Sequence, residues 1–291
     1  SIIFFVFTLL ILIKFSKYIS LLDVPNERKI HKKPIPIVGG IAIFLTLYFF
    51  SFFLNINNLL SIIIFSSFFI LCIGILDDIF HLQPKYRIIF QFCITSFVVY
   101  SGIYIHDIGQ YLLINHYELG FIGILLTYFS VMCLINAINF IDGIDGLATG
   151  IIIAILSNIL ILIFLDATLF EINFIYLLLT LLIVFLFFNL GLFNKYKVFL
   201  GDAGSTTLGF LIAFLLVYFT LPENRLFHPV LAIWIVALPM FDLLNVIIKR
   251  VFLKKNISLP DKYHIHHILM ELKYTQKQTL ILLILISIVL N

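Results

Sequence analysis

Charge is what this chain has least of: Asp, Glu, Lys and Arg make up 11% of its 291 residues, against 63% hydrophobic ones. That balance excludes an ordinary soluble core, and a net charge of only +3 gives no reason to expect a nucleic-acid partner. Cysteine is nearly absent. Cys72, Cys93 and Cys133 fall within or at the ends of apolar runs, lack metal-ligand spacing, and read as small buried residues. No linker, low-complexity block or repeat period breaks the chain, which excludes a solenoid and argues for a single domain over residues 1–291. The alternation needed for a membrane β-barrel is missing as well.

What the chain has in abundance is apolar length, with 33 Phe and a mean hydropathy of +1.18. Runs near ~20 residues recur, the length a helix needs to cross a bilayer. About ten can be counted by that rule, at 2–22, 38–54, 59–76, 86–105, 119–138, 146–165, 172–191, 205–221, 229–250 and 276–290. Backbone groups in lipid must be satisfied within the protein. The expected fold is therefore an all-α integral membrane protein, a polytopic bundle of about ten transmembrane helices. Lys14 and Lys17 follow the first apolar run instead of preceding it, so a cleaved signal peptide is not expected there. The chain starts at Ser1 and stops inside an apolar run, which leaves room for more chain at either end.

The few charges are sorted by side. If the first run crosses from outside to inside, inner loops and span ends hold nearly all of the 18 basic residues, and Arg225 alone falls outside. The positive-inside rule then puts those inner loops in the cytoplasm. The outer loops carry Asp107, Glu118, Asp166, Glu171 and Glu223 with no comparable cluster. Any active site is expected on the cytoplasmic face.

Five polar segments lie on that face. The densest is Asn136-Ala137-Ile138-Asn139-Phe140-Ile141-Asp142-Gly143-Ile144-Asp145-Gly146. Caps and turns favour the same residue types, but a turn needs one or two of them and not four. Asn139, Asp142 and Asp145 follow one another at intervals of three, so on a helical turn they lie along one face. Their oxygens are hard ligands of the kind Mg²⁺ takes, with water and substrate phosphates completing its shell. Gly143 and Gly146 let the backbone turn and a ligand come close.

The second segment is Asp77-Asp78 at the end of an apolar run, followed by Lys85 and Arg87. Neighbouring helical residues point about 100° apart, so the two acids can serve different partners. Third is Phe199-Leu200-Gly201-Asp202-Ala203-Gly204-Ser205, whose glycines next to a helix start suit phosphate. There Asp202 can hold a metal against that phosphate, and Phe199 can stack on a base. Fourth is Pro260-Asp261-Lys262-Tyr263-His264-Ile265-His266-His267, whose imidazoles fit phosphate better than zinc because no cysteine is near and no acid stands at zinc-site spacing. The fifth, Asp23 to His31, contains Arg28, Lys29 and His31, which either clamp a pyrophosphate or anchor the chain at the membrane surface. Asp242, inside an apolar run, is expected either to pair with Lys249 or Arg250 or to act in catalysis.

Taken in order, Asp-Asp, Asn-x-x-Asn-x-x-Asp-Gly-x-Asp-Gly, Gly-Asp-x-Gly-Ser and His-x-His-His resemble the polyprenyl-phosphate N-acetylhexosamine-1-phosphate transferases. The likeness runs from Asp23 to His267. The segment Asp23-x-Pro25-Asn26-x-Arg28-Lys29-x-His31 and the interrupted His264-Ile265-His266-His267 look like the WecA/TagO-type branch. The MraY-type branch, which transfers phospho-N-acetylmuramoyl-pentapeptide, tends instead to carry three consecutive histidines. Lys262 and Lys195 depart from the family pattern, standing where Arg and Pro are common. Lys262 keeps the charge and loses bidentate geometry.

This resemblance implies a multi-pass enzyme of the plasma (inner) membrane that is Mg²⁺-dependent, with Mn²⁺ as a substitute. It would move N-acetylhexosamine 1-phosphate from a UDP-sugar, UDP-GlcNAc first, to undecaprenyl phosphate, releasing UMP and initiating a cell-envelope polysaccharide. It implies that Asp202, with Asn139 or Asp142, holds the metal. Asp77 and Asp78 would serve the acceptor, with Lys85 and Arg87 beside them, and Asp145 and Phe199 would meet the uridine. His266 and His267 would hold phosphates and count with Asp77 and Asp78 as catalytic residues, while His264 would bind substrate. A homodimer is the assembly this reading leaves open. The rival of another class, a secondary transporter, expects ionisable groups near mid-span; here they gather at one face.

Overall fold

The structure is a computed structural model that describes residues 1–25, 33–54, 57–109, 118–254 and 263–290. Its helices are α1 (Ile2–Phe15), α2 (Gly39–Ser51), α3 (Asn58–Phe80), α4 (Pro84–Tyr100), α5 (Phe121–Ile141), α6 (Leu147–Ile163), α7 (Leu169–Asn189), α8 (Gly201–Thr220), α9 (Pro229–Ile235), α10 (Ala237–Phe252), α11 (Ile265–Glu271) and α12 (Gln276–Leu290). Each apolar run read from the sequence holds a helix, though α1 ends at Phe15, seven residues before the end of the run 2–22, and 229–250 is the pair α9 and α10 bent by 73°. Among the described residues four helices, α3, α5, α7 and α8, are long and apolar enough to cross a membrane, and the bent pair makes a fifth. The count is lower than about ten because α1, α2, α4, α6 and α12 have only 13 to 17 residues. At 1.5 Å per residue such helices reach about 20–26 Å, short of a hydrocarbon core about 30 Å thick.

α8 is the axis of the bundle, wholly buried over its apolar window. Glycines let its neighbours come close. A Cβ on Gly40 would stand 2.2 Å from Gly204 Cα, and one on Gly74 would stand 2.3 Å from Ala203 Cα. Only small residues permit that approach of α2 and α3 to the start of α8.

The structure also holds what an all-helical expectation omits. β1 (Leu22–Asp23) pairs antiparallel with β2 (Ile35–Pro36), with Leu22 opposite Pro36 and Asp23 opposite Ile35. The ribbon continues into the core: Phe199 N–H donates to Pro36 O at 2.9 Å, and Gly39 and Gly40 N–H donate to Phe199 O and Leu200 O, each at 3.0 Å. The first amides of α2, which have no partner in their own helix, are thus satisfied by the segment that leads into α8.

Two expectations are corrected. Cys93 is exposed on α4 and Cys72 and Cys133 are half-buried, so the cysteines are not core residues as a set. Glu171 lies in the first turn of α7, buried, accepting from Thr168 N–H at 2.8 Å and from the Tyr218 hydroxyl at 2.6 Å, and does not sit in a loop. Asp107 and Arg225, both expected on the outer side, form an ion pair.

Candidate active site

The ends of α3, α5 and α8 meet at a cavity of about 630 Å³. The backbone there is shaped by two glycines. Gly146 has φ +80° where α6 starts, and Gly201 has φ +79° where α8 starts. Asn189, at the end of α7, ties the two turns together. Its Oδ1 accepts from Gly146 N–H at 2.6 Å and its Nδ2 donates to Val198 O at 2.9 Å.

Asp78 reaches across from α3 to the start of α8. Its Oδ1 accepts from Asp202 N–H at 2.9 Å and its Oδ2 from Ala203 N–H at 3.0 Å. A Cβ on Gly201 would meet Asp78 Oδ2 at 2.8 Å, so glycine is required there by space as well as by φ. Asp77, one residue earlier, is turned inward and only 4% exposed. It accepts from Leu82 N–H at 2.8 Å and pairs with Arg87 Nη1 at 2.7 Å.

Arg87 is the hub of the polar cluster. Besides Asp77 it donates from Nη2 to Asn139 Oδ1 at 3.2 Å, and its Nη1 stands 3.7 Å from Asp202 Oδ2. The other end of the Asn139 amide donates to Asp202 Oδ1 at 2.7 Å and to Ser205 Oγ at 2.9 Å. One guanidinium and one amide therefore join α3, α4, α5 and α8. The Asp202 carboxylate remains open to the cavity, with its side chain 41% exposed.

Among the described residues the cavity wall carries the carboxylates of Asp23, Asp78, Asp142, Asp145 and Asp202 against one permanent cation, Lys197. Lys197 is paired with Asp145 and also lies 5.3 Å from the centre of the Phe199 ring. Burial pushes the Asp142 carboxyl up to about 7, and the charges of Asp202, Asp145 and Asp78 push it the same way. A cation entering here relieves that repulsion.

Whether Mg²⁺ suits these residues turns on the donors. Among the described residues no group of three or more His, Cys, Asp or Glu is placed to hold a metal on its own. Mg²⁺ does not require one, since it takes one or two carboxylates and keeps water or phosphate for the rest. Asp202 and Asp142 fit that pattern. Asn139, expected among the metal ligands, instead directs its oxygen to Arg87 and its nitrogen to Asp202.

The histidine segment closes one side. His267 lines the cavity, while His266 is 1% exposed and packs on Gly143, where an added Cβ would stand 2.3 Å from its Nε2. Burial pulls the His266 imidazole down to about 4, helped by His267 and His264. His264 faces away from the cavity and bonds through Nδ1 to Asp242 Oδ2 at 2.8 Å. The expected pairing of Asp242 with Lys249 or Arg250 is thus replaced by one with His264, because α11 and not the end of α10 meets its carboxylate.

Of the remaining expected residues, Asp145 and Phe199 line the cavity. Lys85 is exposed, 4.9 Å from the centre of the Tyr86 ring, and is not among the lining residues. Arg87 also stays off the wall, committed to its three partners. Arg28, Lys29, His31 and Lys262 lie outside the described residues. Sequence reasoning passed over Asn189 and His81 and read Lys197 only as an inner-face anchor, yet all three line the cavity. Asn189 had a legible signal, an amide ending an apolar run. His81, three residues after Asp78, caps α3 with φ +51°.

With this geometry in place, comparison with known proteins is specific. Residues 60–220 match the family described as Glycosyl transferase family 4. Undecaprenyl-phosphate alpha-N-acetylglucosaminyl 1-phosphate transferase of Escherichia coli strain K12 is 33% identical over 294 residues, covering 97% of this chain and 78% of the relative. The protein of the same name from Haemophilus influenzae is 36% identical over 97% of this chain and 81% of its own length. A Bacillus subtilis protein, named probable undecaprenyl-phosphate N-acetylglucosaminyl 1-phosphate transferase, is 32% identical over 93% of this chain and 75% of its own.

Proposed function

This chain belongs to glycosyl transferase family 4 and is a transferase, and from that premise we propose that it moves N-acetylglucosamine 1-phosphate from UDP-GlcNAc to undecaprenyl phosphate. The observation that carries the reading is one cavity that gathers Asp78, Asn139, Asp142, Asp145, Phe199, Asp202 and His267 from segments far apart in the chain. The names of the relatives support the acceptor and the transferred group. The bias of basic residues supports a site at the cytoplasmic end of a bundle crossing the membrane about ten times, with the shorter apolar helices completing the crossings.

In this reading a phosphate oxygen of the lipid attacks the β-phosphorus of the nucleotide sugar in line. A new P–O bond forms, the bond to the UMP oxygen breaks, and UMP leaves. Asp202 and Asp142 would hold Mg²⁺, which when bound offsets charge on the pyrophosphate. The lipid phosphate is already largely ionised at neutral pH, its second pKa being about 6, so little base catalysis is needed. Asp77 and Arg87 keep the acceptor side in shape, and Asn139 aims Asp202. Phe199 and Asp145, with Lys197 between them, form the nucleoside wall. His267 donates to phosphate.

The test incubates purified protein with undecaprenyl phosphate, Mg²⁺ or Mn²⁺, and a panel of UDP-sugars that includes UDP-N-acetylmuramoyl-pentapeptide. UMP release with UDP-GlcNAc is expected. Release with the pentapeptide donor alone overturns the choice of sugar, and none with any donor overturns the transfer itself.

A further inference from the structure

α11 is seven residues long, and the segment joining it to α10 includes residues outside those described. Two contacts from α10 hold it in place. Asp242 Oδ1 accepts from Ile265 N–H at 2.8 Å, and Asp242 Oδ2 lies 2.8 Å from His264 Nδ1. About two turns further along α10, Lys249 Nζ lies 3.7 Å from the centre of the Tyr263 ring, just before α11. Asp242 sits between Phe241 and Leu243 in an apolar helix, and its side chain is 6% exposed. A carboxylate in such a place needs partners, and it has them on both oxygens.

A carboxylate only accepts, so a neutral His264 must carry its proton on Nδ1. The second bond fixes the start of α11. Together they set both the ring and the backbone from which His266 packs on Gly143 and His267 reaches the cavity. We infer that Asp242 is a positioning residue for the transfer reaction: it holds His264 as the Nδ1–H tautomer and α11 in register, and so seats His267 against the donor phosphates. This rests on the reading above that the donor pyrophosphate lies at the histidine side.

Asp242→Asn separates positioning from mere support. The amide oxygen can still accept from Ile265 N–H, while its NH₂ must donate to His264, which reverses the tautomer. The experiment uses the full chain in lipid nanodiscs, with undecaprenyl phosphate, UDP-GlcNAc and Mg²⁺, and measures kcat, the KM of each substrate and the melting temperature. D242N is expected to melt near the parent, to lose roughly 10–100-fold in kcat/KM for UDP-GlcNAc, and to leave the KM of undecaprenyl phosphate unchanged. Combined with His264→Ala it should add little, since both act through one contact. Parental kinetics in D242N, or losses that multiply in the double variant, overturn the role. A second readout does not depend on turnover. In ¹⁵N-histidine-labelled protein the His264 signal, identified by its loss in His264→Gln, should report Nδ1–H in the parent and Nε2–H in D242N. An inactive parent with the expected tautomer change would sink the transfer reading alone; an Nε2–H parent would sink the assignment to Asp242.

Discussion

Asp78 accepts hydrogen bonds from the backbone N–H groups of Asp202 and Ala203, at 2.9 and 3.0 Å, across 124 residues of sequence. The acid thus caps a helix to which it does not belong. The first amides of a helix lack partners within it and carry the positive end of its dipole, so a carboxylate here stabilises the start of α8 twice over. It also fixes the backbone from which Asp202 faces the cavity.

Replacing Asp78 should therefore lower stability and activity together. Loss of a capping side chain costs about 0.5–2 kcal/mol. Asp78→Ala is expected to melt several degrees lower and to lose most turnover, because Asp202 N–H is left without its acceptor. Asp78→Asn keeps one acceptor and should melt between the two. Melting curves and UMP release on the same preparations check this. An inactive D78A that melts like the parent would point to direct contact with substrate instead.

Arg87 makes a different kind of claim. Its guanidinium meets Asp77, Asn139 and Asp202 at 2.7, 3.2 and 3.7 Å, and a lysine ammonium cannot match that fork. Arg87→Lys is expected to keep partial activity. Arg87→Ala should lose roughly 100-fold and need more Mg²⁺ for half-maximal rate, since Asn139 and Asp202 lose the group that aligns them. Titrating Mg²⁺ at saturating substrates measures it. An unchanged Mg²⁺ requirement in R87A would show that Asp202 is held without Arg87.

How much of this was legible beforehand depends on range. Apolar runs carry their own length signal, and the helices lie where those runs are. Asn139, Asp142 and Asp145 announced themselves because polar residues in an apolar context are costly. The duties within the cluster were not legible, because they follow from contacts between distant segments. Nothing in the sequence near Asn139 says that Arg87 takes its oxygen, and nothing near Asp242 says that His264 will meet it. Lys197 looked like one more basic residue on the inner face until the fold set it between Asp145 and Phe199. The ribbon of Leu22–Asp23 with Ile35–Pro36 is too short for any periodicity to reveal.

Close packing gives a third prediction. A Cβ on Gly40 would stand 2.2 Å from Gly204 Cα and 2.9 Å from Leu200 O, both backbone atoms that cannot swing away. Gly40→Ala must push α2 from α8, at a cost of about 1–3 kcal/mol for overpacking. The same shift strains the bonds from Gly39 and Gly40 N–H to Phe199 O and Leu200 O, so Phe199 moves at the nucleoside wall. A lower melting temperature with a raised KM for UDP-GlcNAc is expected. A G40A variant with parental melting and KM would refute the tight contact.

The last prediction concerns pH. His266 has its imidazole pulled down to about 4 from an ordinary 6.5, first by burial and then by the charges of His267 and His264, with Asp242 acting weakly the other way. Among the described residues neither ring nitrogen has a hydrogen-bond partner, so a proton taken up there would be buried without an acceptor. The folded state therefore favours neutral His266. Its contribution to stability is complete above about pH 6.5. It falls as pH drops from there towards 4, because the unfolded chain takes up the proton first, and it levels off below 4. Across that window one such group changes stability by at most about 1.4 kcal/mol per pH unit. Comparing the parent with His266→Gln isolates the effect: the variant should lose less stability than the parent between pH 6.5 and pH 4.5. Denaturation midpoints in the same lipid environment measure the difference. Parallel pH profiles for the two proteins would mean that His266 takes up its proton in the folded state as readily as in water.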